Sequence, residues 1–296
     1  MGHFPKKKKG RFLTRNNRRL LLILLLALTL VLGSCTSKLD EYDVKCVFLD
    51  AGQGDSSVVM TNDGHCVMID TGTVGYTDKI ISSLLWQNVS VIDILILTHN
   101  HEDHVAGTIE ILENFDVKEL WCIDSTQSYI SEAIESVAKS CATEIRFVDE
   151  GVSVSLGKEA ALNVEVLCAY TEGDKSQENE NAIVVSVSYR DFSALYMSDT
   201  GNKTEKYLLE NHADKINCDI LKVGHHGSDS SSSEEFIKAA DPQVAVVSCE
   251  KNNPYGHPHD ATLSVLEKYC EYTMFTYNGN FEVKVKGSEI IFENKT

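Results

Sequence analysis

One short segment, residues 98–104, concentrates side chains that can bind metal ions, in the order Thr-His-Asn-His-Glu-Asp-His. His99 and His101 alternate along the chain, so in an extended turn both imidazoles face the same side. Asp103 and His104 open the next predicted helix and can face a second point nearby. Three imidazoles and a carboxylate this close together suit borderline divalent metals, zinc first, with manganese or iron as alternatives.

Further candidates follow other predicted strands. Asp199 comes directly after the apolar segment 194–197, and its two oxygens allow it to bridge two metals. His225 and His226 follow the segment 220–223. Because adjacent histidines do not easily bind one ion, we expect one as a ligand. The other would contact substrate or donate a proton to the leaving group, and the sequence leaves open which is which.

Three more side chains lie in turns that suit the same site. Asp70 ends a predicted strand and can orient a ligand histidine, or equally well cap the turn at residues 71–72. His257 lies in a loop containing Pro and Gly, and we expect it at the mouth of the site. His259, in the same loop, is at least as well explained as a helix-start residue.

Short segments rich in Val and Ile alternate with helical segments in both halves of the chain, which predicts an α/β protein. No linker or long repeat interrupts residues 43–296, so we expect one domain there. The predicted strands are 45–49, 57–60, 66–69, 92–97, 119–123, 144–148, 164–168, 183–188, 194–197, 220–223, 244–248, 272–276, 281–285 and 289–292. The predicted helices are 78–86, 105–113, 128–139, 203–211, 233–239 and 261–270.

The N-terminus reads as an export signal. A basic stretch precedes the apolar run 20–33, which is too short to span a bilayer but suits a signal-peptide core. The run leads into Leu-Gly-Ser-Cys at residues 32–35, which resembles a bacterial lipobox. We therefore expect residues 1–34 to be removed and Cys35 to be lipidated. Residues 36–42 would form a short tether. The expected location is extracytoplasmic, anchored by lipid to the bacterial cell membrane. The alternatives are a plain anchor or an ordinary secretory signal with a chance cysteine.

Composition narrows the function. The chain has 296 residues, 43% of them hydrophobic, which excludes wholesale disorder. Its formal charge of −17 becomes −25 once the eight basic residues of the segment 1–34 are removed. That charge disfavours a stable complex with nucleic acid, which needs clustered Lys and Arg. The eight cysteines after Cys35 form no C-x-x-C pair and mostly lie in apolar strands, so we expect mainly buried free thiols.

Together these motifs resemble the metallo-β-lactamase superfamily. Residues 48–56 (Phe-Leu-Asp-Ala-Gly-Gln-Gly-Asp-Ser), 221–228 and 253–259 are similar to its ComEC-type competence branch, and the resemblance spans 43–285. It implies an αββα four-layer sandwich with metals at one edge. It also implies hydrolysis by a metal-bound hydroxide.

Residue by residue, the resemblance implies a site for two divalent metal ions. His99 and His101 would hold one ion and Asp103 with His104 the other, bridged by Asp199 and completed by His225 or His226. The expected catalytic residues are Asp103, His226 and His257. The expected orienting or substrate-contacting residues are Asp70, Gln53, Asp55, Asn181 and Ser228.

One departure from the superfamily concerns the first ion. Many members carry another metal-binding histidine between the first motif and the bridging aspartate, whereas no histidine lies here between His104 and Asp199. Asn179, Asn181 or water would take its place.

The expected function is that of an exported metal-dependent hydrolase, phosphodiesterase-like or nuclease-like. The alternatives are a ligand-binding lipoprotein without catalysis, or a hydrolase of another ester or of a lactam. The expected partners are a phosphodiester or another small or polymeric substrate, and the membrane through the N-terminal lipid. The sequence leaves the oligomeric state open.

Overall fold

The computed structural model describes residues 42–123, 131–157, 162–169 and 179–295. The predicted signal segment, the lipidation site Cys35 and nearly all of the tether lie outside these residues, so those predictions stay untested. Within the described part of the chain, no helix combines the length and the apolar character needed to cross a bilayer.

The described residues contain fifteen strands in two sheets. In chain order they are β1 Val44–Phe48, β2 Ser57–Thr61, β3 Cys66–Ile69, β4 Val91–Ile96, β5 Asp116–Cys122, β6 Glu144–Phe147, β7 Ser153–Leu156, β8 Leu162–Cys168, β9 Val184–Tyr189, β10 Phe192–Tyr196, β11 Ile220–Lys222, β12 Val244–Val247, β13 Tyr272–Phe275, β14 Asn280–Lys286 and β15 Glu289–Lys295. The first sheet has the order β15-β14-β1-β2-β3-β4-β5-β6, and the second β13-β12-β11-β10-β9-β8-β7.

Seven α-helices occur in the same described ranges. They are α1 Thr77–Trp86, α2 Glu102–Val105, α3 Thr108–Asn114, α4 Glu132–Ser140, α5 Asn202–Asn211, α6 Glu234–Ala240 and α7 Asp260–Tyr269. Short 3₁₀ turns lie at Asn179–Asn181, Gly224–Gly227 and Thr276–Asn278.

Alternation along the strands divides the core into layers. In β1, Cys46 and Phe48 join apolar side chains of the second sheet, such as Tyr196, in a cluster between the two sheets. Val47 of the same strand faces a different cluster, shared with α1, α3 and α4. A third cluster packs α5, α6 and α7 on the outer face of the second sheet. Because successive side chains of a strand face opposite ways, these clusters form the predicted order of helix, sheet, sheet and helix.

Parallel pairing brings the chemistry-bearing segments to one edge. β3 pairs in parallel with β4, and β10 with β11, so the loops after these strands leave the sheets at the same end. A backbone hydrogen bond joins loops of the two sheets, since the amide of Ile183 donates to the carbonyl of Thr98 at 2.9 Å. Within the first sheet, the amide of Asp55 donates to the carbonyl of Asp103 at 3.2 Å.

The structure differs from the sequence prediction in one helix and in one strand. The predicted helix 105–113 is divided into α2 and α3 by Gly107, because a Cβ at that position would lie 2.7 Å from the carbonyl oxygen of Thr71. Strand β7 was not predicted, since its Ser-Val-Ser-Leu sequence is only half apolar and it lies at a sheet edge.

Candidate metal centre

The buried carboxylate of Asp199 lies at the centre of the site. Its Oδ1 atom is 3.2 Å from Nε2 of His104 and 3.3 Å from Nε2 of His226. Its Oδ2 atom is 3.9 Å from Nε2 of His99 and 3.9 Å from Nε2 of His225. Imidazole nitrogens from two different segments of the chain, one after β4 and one after β11, therefore face the two oxygens of one carboxylate.

Two groups of donor atoms share this carboxylate. One comprises Asp103, His104, Asp199 and His226, with ligand atoms all within 4.8 Å of one another. The other comprises His99, His101 and Asp199 within the same limit. Nitrogen and carboxylate donors in this number are the ligands of zinc and of similar divalent metals.

Three buried atoms in the first group point to a cation. His104 Nε2, Asp199 Oδ1 and His226 Nε2 form no hydrogen bond within the described residues. Burying polar atoms without partners is costly, and a cation between them would satisfy all three at once. The residues present therefore fit divalent metal ions.

The opposite ring nitrogens are held by other groups. Nδ1 of His104 lies 2.7 Å from Asp70 Oδ2, and Nδ1 of His226 lies 2.9 Å from the carbonyl oxygen of Ser248. Asp70 also accepts hydrogen bonds from the backbone and the hydroxyl of Thr98, each at 2.8 Å. Such partners fix the ring orientation and leave Nε2 facing the site. Asp70 thus contacts a candidate ligand and not the turn at 71–72.

Charges at the site shift the pKa values of its members strongly. Burial alone would raise the pKa of Asp199, but His226 and His104 hold it well below its ordinary value. Burial alone would lower the pKa of His226, but Asp199, Asp103 and Asp55 raise it to about 10. The pKa of His104 is likewise well above its usual range, because Asp199 and Asp70 outweigh burial. Protons on these imidazoles balance the carboxylates in the metal-free protein.

A buried ion pair supports the site from behind. Nζ of Lys222 lies 2.6 Å from Asp55 Oδ2, and Asp55 Oδ1 lies 3.5 Å from Nδ1 of His226. Burial would raise the pKa of Asp55, yet Lys222 and His226 keep it well below its usual value. Gly54 allows this loop to approach, since a Cβ there would lie 2.0 Å from the carbonyl oxygen of Asp103. The role of Lys222 was not predicted. The only indication of it in the sequence is that a charged residue stands in an otherwise apolar strand.

Replacing Lys222 with methionine is expected to destabilise the protein by about 3–5 kcal/mol, because it removes the closer of the two positive charges beside the buried Asp55. The double variant Lys222→Met/Asp55→Asn should recover much of that loss. Urea unfolding of the metal-free chain measures both. Lys118→Met, which removes an exposed pair with Asp116, is the matched control and should cost about 0–1 kcal/mol. Equal stability of the Lys222→Met variant and the parent would contradict the prediction.

The site opens into a cavity of about 330 Å³. Its lining consists of Gln53, His101, Glu102, Asp103, Asn179, Asp199, His225, His226, Tyr255 and His257. Of these, Glu102 and Tyr255 were not predicted. The exposed ring of Tyr255 stacks on the ring of His257, with centroids 5.7 Å apart. Its position two residues before a predicted site histidine could have indicated this role from the sequence.

Other predicted residues lie near the cavity without lining it. Oγ of Ser228 lies 2.9 Å from Oγ of Ser230, so this side chain braces the histidine turn. Asn181 is nearly buried in the 3₁₀ turn Asn179–Asn181. His259 is the N-cap residue of α7, but its side chain accepts a hydrogen bond from the backbone of Asp229 and does not cap the helix. None of the eight cysteines in the described ranges forms a disulfide there, and most are buried.

Comparison with known proteins finds a family model that matches part of the chain. Residues 49–139 match the family model of the metallo-beta-lactamase superfamily. The chain is 29% identical over 275 residues to ComE operon protein 3 of Bacillus subtilis, covering 85% of this chain and 34% of that protein. It is 29% identical over 214 residues to competence protein ComA of Neisseria gonorrhoeae, covering 72% of this chain and 28% of that protein. The chain thus spans about a third or less of these curated relatives.

A solved structure agrees in fold. Tm1679, described as a metal-dependent hydrolase of the beta-lactamase superfamily, superposes with a TM-score of 0.54 at 15% identity, covering 82% of this chain and 99% of that one. The fold expected from the sequence motifs is confirmed. So is the resemblance to competence-related proteins. Residues 49–139 therefore match the metallo-beta-lactamase superfamily, and the relatives of the chain include competence-related proteins.

Proposed function

We propose that this chain is an exported, lipid-anchored hydrolase that cleaves phosphodiester bonds with the help of two divalent metal ions. The observation that carries the proposal is the pair of donor groups around Asp199, with unpartnered buried atoms beside an open cavity. Export and the anchor at Cys35 rest on the N-terminal sequence alone.

The metal ions would be held by His99, His101, Asp103, His104, Asp199 and His226. When bound, such ions lower the pKa of water and polarise a phosphoryl oxygen. Zinc is the first candidate because most of the donors are imidazole nitrogens, with manganese or iron as alternatives.

A phosphodiester suits the charge of the site. The chain is acidic overall, so an anionic substrate must be drawn in by charge placed locally at the cavity. Two divalent cations beside Asp199 would provide that charge, whereas a neutral ester or lactam would gain less from it. The relatives named as competence proteins are consistent with a nucleic-acid substrate, although a small or polymeric phosphodiester meets the same chemistry.

His257 would act on the substrate from the mouth of the cavity. Burial and the nearby imidazoles of His226 and His225 lower its pKa to about 4, so it is neutral at pH 7. Cations in the site would lower this pKa further. His257 is therefore expected to accept a proton or a hydrogen bond rather than to serve as an acid. Asp103, which also lines the cavity, would help to position the attacking water.

Chelation of the full-length chain in detergent is expected to abolish hydrolysis of bis(p-nitrophenyl) phosphate, and Mn²⁺ or Zn²⁺ to restore it. His101→Ala should lower kcat/KM by at least about 100-fold, because it removes a metal donor that lines the cavity. His212→Ala is the control, since His212 contacts Glu150 and does not line the cavity.

The same assay separates the alternatives. Cleavage of p-nitrophenyl acetate or nitrocefin without cleavage of the phosphodiester would favour a hydrolase of esters or lactams. A chain that retains less than about one metal ion and cleaves no substrate would favour a binding protein.

A further inference from the structure

We propose that the adjacent histidines serve different metal ions, with His225 completing the group of His99 and His101 while His226 belongs to the group of His104. The inference rests on the metal binding proposed above and assigns the ligand that takes the place of the missing mid-chain histidine. It departs from the expectation that only one of the two adjacent histidines is a ligand.

The backbone explains how neighbours can serve different ions. His225 has φ 45° and ψ 47°, and His226 has φ 54° and ψ 20°. Residues other than glycine rarely adopt this left-handed conformation, and two in succession are costly. The turn is held by a hydrogen bond from the His225 amide to the Ser198 carbonyl at 2.9 Å. The turn places the two Nε2 atoms against different oxygens of Asp199. Nε2 of His225 lies 3.9 Å from Oδ2, and Nε2 of His226 lies 3.3 Å from Oδ1.

The side chain of His225 is arranged like those of the other donors. Its Nδ1 lies 3.1 Å from the hydroxyl of Ser230, as Nδ1 of His226 lies against the carbonyl of Ser248. With that nitrogen donating to Ser230, the lone pair of Nε2 faces the cavity. The distance from Nε2 to Asp199 Oδ2 equals that of His99 Nε2. His225 and His99 therefore flank the same oxygen.

The neighbouring amide fits the same assignment. Nδ2 of Asn179 lies 3.1 Å from Nε2 of His225, so Asn179, one candidate replacement for the missing histidine, contacts His225 itself. Its Oδ1 atom is buried without a hydrogen-bond partner within the described residues. In the metal-free protein the Asn179 amide donates to the lone pair of His225 Nε2, so an ion bound by His225 would take the place of this hydrogen bond.

The assignment also equalises the two ligand groups. Without His225 the first group has three residues, His99, His101 and Asp199, whereas the second has four. His225 lies outside the 4.8 Å limit of the first group, and with it each ion would have four donor residues with Asp199 shared, which is the coordination number that zinc prefers.

Metal content of single and double variants tests the assignment directly. Full-length chains are stripped, reloaded with Zn²⁺, freed of excess metal by gel filtration and measured by mass spectrometry. The parent and the His212→Ala control should hold about two ions per chain. His225→Gly and His226→Gly should each hold about one, with the lost ion weakened at least about 100-fold in a chelator competition. Glycine tolerates the left-handed backbone, so the metal-free variants should fold, as melting temperatures will show.

The double variants identify which ion each histidine binds. His101→Ala/His225→Gly should still hold about one ion, because both substitutions affect the same group. His225→Gly/His226→Gly should hold none. A His225→Gly chain that retains two ions with the parent's affinity would overturn the assignment alone. Loss of both ions from His101→Ala/His225→Gly would overturn it as well. A parent chain that binds no metal would overturn the proposed function together with it.

Discussion

Replacing Asp199 with asparagine is expected to remove both metal ions and to lower phosphodiester hydrolysis at least about 1,000-fold. Its Oδ1 atom lies 3.2 Å from Nε2 of His104, and its Oδ2 atom lies 3.9 Å from Nε2 of His99. An amide of the same shape keeps one neutral oxygen and turns two N–H hydrogens toward the opposite group. The substitution therefore removes the shared charge from both ligand groups at once. No other single substitution at the site has that effect.

Metal content and kcat/KM, measured on the same preparation, check this prediction. Asp93→Asn is the matched control, because Asp93 is a partly buried aspartate that contacts His65 and the backbone of Cys66 and does not line the cavity. It should keep two ions and parental activity. Two retained ions in Asp199→Asn, or activity within tenfold of the parent, would show that Asp199 does not bridge the groups.

The candidate donors could be found from the sequence because they follow strands. The histidine motif comes after β4, Asp199 after β10, and the histidine pair after β11. Parallel strands that leave their sheets at one edge bring such loops together, so residue type and position after an apolar run were sufficient to predict the group.

The arrangement within the site could not be predicted in the same way. The left-handed turn at His225 and His226 depends on a hydrogen bond to Ser198, and the ion pair of Lys222 with Asp55 joins loops far apart in the chain. These contacts are set by tertiary packing. The sequence motif therefore predicted that one of the adjacent histidines binds metal but not that both can.

The same contrast holds for the fold. Most predicted strands lie within a few residues of the observed ones, since apolar runs bounded by Gly, Asn and Asp are a local signal. The order of strands is not local, because β1 pairs with β14 almost at the other end of the chain. The division of a predicted helix at Gly107 likewise follows from the approach of Thr71, which no local pattern indicates.

Metal binding is expected to release about two protons per chain at pH 7, and zinc affinity should rise accordingly with pH. In the metal-free protein burial would lower the pKa of His226, but Asp199 and its neighbours raise it to about 10. The pKa of His104 is raised in the same way, by Asp199 and Asp70. Both imidazoles are therefore protonated at pH 7, and each must lose its proton to bind a metal. Two released protons predict that affinity increases roughly 100-fold per pH unit between pH 6 and 8.

Titration calorimetry in two buffers of different ionisation enthalpy counts these protons. His226→Gly should release about two protons fewer, because the ion that it loses is the one that His104 and His226 both bind. His225→Gly should change the count little, because burial lowers the pKa of His225 below its ordinary value. The pH dependence of the melting temperature is an independent check on the direction in which folding shifts the pKa of His226. A histidine whose pKa is raised on folding stabilises the protein fully below the unfolded pKa of about 6.5, and this contribution is lost as the pH rises through about 10. The melting temperature of the metal-free chain should therefore fall between pH 7 and 10, while the zinc-loaded chain lacks this loss. Zinc binding without proton release would mean that the imidazoles around Asp199 are neutral before the metal arrives.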